Sequence, residues 1–169
     1  MSELLDVIYN RRSIRKYKPD PIPDEIIEKI LNAARLAPSA HNIQPWHFIV
    51  VKDKKLREVL SRWRWSRFLK DSPVVIVGCG DYRLSPKLWI VDVSIALQNL
   101  VIAATALGLG TCWVCDFEED KVKELLDIPE NYRVVALIAV GYPDEKPEIP
   151  KKKELAEITS LNKFGKPLK

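Results

Sequence analysis

The longest apolar region of the chain, positions 90–109, is interrupted by Asp92, Ser94, Gln98 and Asn99. A bilayer core offers those groups no partners, so the segment reads as a helix buried in protein, not as a membrane span. It is expected from about Trp89 to Leu107, with Gly108 and Gly110 ending it. A helix this apolar constrains everything else, because the rest of the chain has to cover it.

The cover is readable in outline. Ser2 is placed to cap a first helix running to about Tyr9, with Leu4, Leu5 and Ile8 on one face. Pro19, Pro21 and Pro23 make a stiff connector. Asp24 is expected to cap a second helix striped by Ile26, Ile27, Ile30, Leu31, Ala34 and Leu36, and Pro38 stops it. Strands are expected at 46–51, 74–77, 111–114 and 133–140, and further helices at 54–69 and 118–126. Val74 to Val77 lacks alternation, which marks a central strand. From Tyr142 onward the chain is rich in proline and lysine and has no period, so this tail folds only by packing on something else. Mixed helices and strands give an α+β class, one sheet with helices around it. At 169 residues the expectation is a single domain over 1–169.

Composition narrows the partners. Lysine and arginine number 27 against 23 acidic residues, a mild excess that suits an anionic small ligand and is too small to imply nucleic acid. Three cysteines and no recognisable signal peptide point to a reducing cytoplasm.

Five groupings are able to carry chemistry. Arg11, Arg12, Ser13 and Arg15 put three guanidinium groups and a hydroxyl just past a helix end, a set suited to an oxyanion, though basic runs are commonly plain surface. Lys151, Lys152 and Lys153 gain meaning only if the tail folds back to the same anion. The loop Pro38, Ser39, Ala40, His41, Asn42, Ile43, Gln44, Pro45 packs polar groups between stiffening prolines, and it equally suits a simple helix-to-strand turn. Cys112 and Cys115 have dithiol spacing, but they fall on a strand, where residues three apart diverge; two small, partly buried residues is the preferred reading. No metal site is expected, since His41, His47 and Cys79 have no partners at ligand spacing. The interleaved basic and aromatic residues from Arg62 to Phe68 suit cover over a pocket or an oligomer contact better than single-stranded nucleic acid, with Trp63 on the apolar stripe and Trp65, Phe68 and Leu69 as a second patch.

Taken in order, these residues resemble the FMN-dependent nitroreductase family. The resemblance rests on Arg-Arg-Ser-x-Arg at 11–15, on Pro38-Ser39-x-x-Asn42-x-Gln44-Pro45-Trp46, on Leu107-Gly108-Leu109-Gly110-Thr111-Cys112-Trp113, and on Gly141-Tyr142-Pro143 followed by Pro150 and the lysines. It covers nearly the whole chain. It implies a central, mostly antiparallel sheet flanked by helices, in an obligate homodimer with one FMN at each of two interface sites. It implies ping-pong hydride transfer from NADH or NADPH through the flavin to an acceptor such as a nitroaromatic or a quinone. By position, Arg11, Arg12, Ser13 and Arg15 would hold the phosphate, ribityl chain and pyrimidine edge, with Lys151 and Lys153 adding charge at the phosphate. Pro38, Ser39, Ala40 and Asn42 would come from the other subunit, and Gln44 would touch the ribityl or ring edge. Val114, Cys115 and Asp116 would lie by the hydride-accepting nitrogen through backbone groups. No side chain is required as a general acid. Two alternatives stand beside this reading: a flavin-binding protein without turnover, and a dithiol protein using Cys112 and Cys115.

Overall fold

A computed structural model describes residues 3–168. The non-alternating run at 74–77 is the heart of β2 (Val74–Asp81), every residue of which is buried. It lies between β1 (Trp46–Val51) and β4 (Tyr132–Gly141), and β3 (Gly110–Val114) lies beyond β4, so the order is β1-β2-β4-β3. All three neighbouring pairs are antiparallel, as the resemblance implied.

Alternation along β2 divides the core in two. Val74 and Ile76 face one layer, and Val75, Val77 and Cys79 face the other. In β4, Val134 shares a face with Leu137, against simple alternation. A bulge explains it. Gly78 pairs with Ala136 and Cys79 with Val134, which leaves Val135 without a partner and resets the face.

The first layer holds α2 (Asp24–Arg35) and the apolar helix α4 (Trp89–Ala106). Leu97, Leu100, Val101 and Ala104 are fully buried against Ile30, Ile76 and Ile138. Each leucine contributes about 1.5–3 kcal/mol by leaving water. By length and composition α4 is able to cross a bilayer, but its inner face is seated on the sheet. Its outer face is bare, with Ile90 and Val91 each 48% exposed. The helix ends as expected: Gly108 takes φ +77°, Leu109 N–H donates to Ala104 O at 2.9 Å, and Gly108 N–H donates to Thr105 O at 3.0 Å.

The second layer holds α3 (Lys54–Leu60), a 3-10 turn at Arg67–Lys70 and α5 (Glu119–Leu125), packed through Leu60, Leu69, Val122 and Ile128. The helix expected over 54–69 is therefore broken. Ser66 is fully buried, and its hydroxyl bonds Trp63 O and accepts from Trp63 N–H, both at 3.2 Å, closing a turn where a helix would have continued. Leu69 goes to the core and does not share a surface patch with Trp65 and Phe68.

Other boundaries also move. Pro23, not Asp24, is the N-cap of α2, and the Asp24 carboxylate pairs with Lys52 instead. Leu36 lies past the helix end and is exposed. β2 runs on through Gly78 and Gly80, because α4 approaches too closely for side chains there; a Cβ on Gly80 would stand 2.8 Å from Trp89 and Val93. α1 spans Glu3–Asn10, and Ser2, expected as its cap, lies outside the described residues. The tail, in which no period was legible, contains a short helix α6 (Leu155–Ile158) closed by a Glu154–Glu157 capping box. Leu155, Ile158 and Phe164 on it are exposed.

Candidate functional site

Past α1 the chain runs extended along the β3 edge. Ser13 bridges Thr111 in parallel, and Ile14 N–H donates to Thr111 O at 2.9 Å. Further on, Lys18 N–H donates to Tyr142 O and Asp144 N–H to Lys16 O, each at 2.9 Å. Glu145 Oε1 accepts from the Arg15 and Lys16 N–H groups. Ile14 and Tyr17 turn into the core. The Tyr17 hydroxyl donates to Ile14 O, and burial drives its pKa far above the ordinary phenol value. Sheet pairing, not a loop, thus fixes where the basic segment points.

Two cavities meet there. The larger, about 550 Å³, is lined by Arg11, Arg12, Ser13 and Arg15 on one side and by 147–150 and Lys152 on the other. The tail therefore does fold back onto the arginines. The lysine that lines the cavity is Lys152; Lys151 and Lys153 do not line it. An extended tail leaves the choice within a run of three to its local twist, which nothing in the sequence reports. The smaller cavity, about 270 Å³, is lined by Arg15, Trp65, Phe68 and the stretch 112–116, which includes Val114, Cys115 and Asp116. Arg15 belongs to both.

The donor set suits a phosphorylated ligand. Arg12 is partly spent, because its Nη1 donates to Tyr9 O and Arg11 O, each at 2.7 Å. Among the described residues, the Arg11 and Arg15 side chains donate no hydrogen bond within the chain. Two open guanidinium groups, a hydroxyl and an ammonium around one cavity outweigh the lone carboxylate of Glu148 there and leave it positive, as an anion requires. Thr111 Oγ1, buried beneath Ser13, also has no partner among the described residues.

The polar loop lies elsewhere on the chain. It holds a 3-10 turn at Ala40–Asn42, and His41, Asn42 and Gln44 take φ of +50°, +58° and +53°. Three left-handed residues without a glycine are a strained arrangement. Ser39 Oγ accepts from Gln44 N–H at 3.0 Å, and Gln44 Nε2 donates to Asn42 O at 3.1 Å. Pro38, His41, Asn42 and Gln44 are exposed, and Ser39 and Ala40 half-buried. None of Pro38, Ser39, Ala40, Asn42 and Gln44 lines either cavity at the arginines.

Cys112 and Cys115 occupy unlike settings. Cys112 is buried in β3, and Cys115 is exposed just beyond it. Burial pushes the Cys112 thiol up, against smaller pulls from Arg15, Ser13 and Arg11. Desolvation raises Cys115 as well. With one thiol in the core and the other facing solvent, the two are not presented as a pair, and neither is pulled down in pKa as reactive dithiols are. Among the described residues no group of three or more His, Cys, Asp or Glu is placed to hold a metal ion. Trp65 and Phe68 were legible in the sequence as cover, and Lys152 as one of three tail lysines, although family position pointed to Lys151 and Lys153; Asp92 had one signal, a lone acid in the first turn of an apolar helix.

The sequence and the fold match known proteins. The nitroreductase family model matches residues 8–73 and 60–142, and the chain belongs to the nitroreductase family. A protein of Archaeoglobus fulgidus with the provisional name NADH dehydrogenase/NAD(P)H nitroreductase is 44% identical over 86% of this chain and 89% of its own. An FMN-dependent nitroreductase from Clostridium difficile superposes with a TM-score of 0.88 at 35% identity, over 95% of this chain and 99% of that one. The NADPH:FMN oxidoreductase of Vibrio harveyi, solved with NAD+, superposes with a TM-score of 0.90 at 27% identity, over 96% of this chain and 78% of that one.

Proposed function

We propose that the chain is an NAD(P)H-dependent FMN oxidoreductase, a single cytoplasmic domain that works as a homodimer. Bound FMN would supply the electron chemistry, taking hydride from NADH or NADPH and passing it, in a ping-pong cycle, to an acceptor such as a nitroaromatic or a quinone. The observation that carries this reading is the pair of open guanidinium groups, Arg11 and Arg15, in a cavity closed by Ser13 and Lys152.

The residues divide the work by position. Arg11, Arg12 and Ser13, with a lysine from 151–153, neutralise the phosphate. Arg15, shared by both cavities, brings positive charge to the pyrimidine edge, where negative charge grows on reduction. Val114, Cys115 and Asp116 form the wall beside the ring. Pro38, Ser39, Ala40, Asn42 and Gln44 complete the site from the second subunit. Two features support that assignment: the loop is exposed and lines neither cavity of its own protomer, and the bare apolar face of α4 asks for a partner chain.

The test is anaerobic. Purified protein loaded with FMN is expected to be yellow and to bleach on adding NADH or NADPH, then recover colour with a nitroaromatic or quinone. FMN that binds but does not bleach at millimolar nucleotide supports binding without turnover. Protein that takes up no FMN contradicts the proposal.

A further inference from the structure

We infer that Asp92 is a positioning residue for the cofactor: it holds the 38–44 loop in the shape that meets the flavin. Its role in cofactor binding rests on the two-chain site proposed above. The Ala40 N–H donates to Asp92 Oδ1 at 3.3 Å, across 52 positions of sequence. Among the described residues this is the one hydrogen bond that joins positions 38–44 to another element; the others close within the loop. A turn holding three left-handed non-glycine residues persists only where its surroundings fix it. Asp92 is that fixture.

The side chain is costly where it stands. Asp92 is 4% exposed, and its Oδ2 has no partner among the described residues. A carboxylate buried with half its accepting capacity unused lowers stability, and an apolar residue of similar size would pack at less cost. The helix dipole favours an acid in the first turn of α4, but it does so equally at an exposed position. The dipole does not account for a carboxylate turned inward under Ala40. Holding the strained loop does.

The account separates stability from cofactor binding. Three variants, Asp92→Ala, Asp92→Leu and Asp92→Asn, are compared by fluorescence titration with FMN and by thermal melting of the FMN-free protein. Leucine keeps the branched shape and the number of heavy atoms and removes the acceptor; asparagine keeps an acceptor oxygen for the Ala40 N–H. The expected result is that D92A and D92L weaken FMN binding about tenfold, as for loss of one hydrogen bond. Their melting temperatures stay level or rise, and D92N stays within about twofold of the parent. If D92A does not fold, D92L against D92N decides the matter. Unchanged FMN affinity in D92L overturns the inference, and so does a parallel fall of affinity and melting temperature in all three variants. Parent protein that binds no FMN at all would instead sink the cofactor reading, and this inference with it.

Discussion

The Arg15 guanidinium stands 6.0 Å from the centre of the Phe68 ring. That contact joins the extended segment beside β3 to the cover over the smaller cavity. It seats a positive charge at the junction of the two cavities, where a phosphate-anchored ring would turn from one into the other.

Arg15→Gln removes that charge and keeps much of the side-chain length. Positive charge near the ring favours the reduced, anionic cofactor, so its loss makes reduction harder. The midpoint potential of bound FMN is expected to fall by about 30 mV, one tenfold step in a two-electron equilibrium. Spectroelectrochemical titration of the two proteins measures it, and an unchanged potential would put Arg15 away from the ring.

Cys115→Ser separates flavin from dithiol chemistry. Cys112 is buried, Cys115 is exposed, and both thiols are pushed up in pKa. Steady-state kcat/KM of the serine variant is expected within about twofold of the parent. Loss of activity would restore the dithiol reading.

The Glu119 carboxylate predicts an acid limb in stability. Arg133 Nε and Nη2 donate to it at 2.7 Å each, and Val134 N–H at 2.9 Å. These bonds, the one from Arg133 foremost, hold its pKa below the usual glutamate value. A lowered folded-state pKa gives stability that is present above the unfolded value and lost as pH falls through the folded one. Glu119→Gln is therefore expected to lower the melting temperature at neutral pH, and by less at about pH 3. An equal drop at both pH values would show that the charge is irrelevant.

Gly80→Ala tests the seat of α4. The new Cβ would meet the Trp89 ring and a Val93 methyl, each at 2.8 Å, and neither is the flexible end of a long side chain. The expected loss is about 1–3 kcal/mol in urea unfolding. A neutral result would mean that helix and strand separate freely.

That glycine also shows where the sequence stopped being readable. The run from Val74 to Val77 announced a central strand because its surroundings are apolar on both faces. Gly78 and Gly80 disguised the strand's continuation, since the reason for them is a helix arriving from elsewhere in the chain. Ser66 looked compatible with a helix until its hydroxyl was seen to close a turn on Trp63. The basic segment and the polar loop could be picked out by residue type, because anion binding and tight turns need particular side chains. Which lysine of 151–153 faces the cleft was not legible, because an extended tail carries no period. Asp92 was read only as a break in an apolar run; its partner is 52 positions away, and such a pairing is set by packing.

Subunit complementation tests the two-chain site most directly. One variant carries Arg11→Ala and Arg15→Ala, the other carries Ser39→Ala and Asn42→Ala, each with its own affinity tag. Each alone is expected to be a dimer that retains little FMN. The doubly tagged heterodimer is expected to hold one FMN per pair of chains, because one of its two sites regains both intact halves. A heterodimer as empty as its parents, or a particle of single-chain mass, would contradict a site built across two subunits.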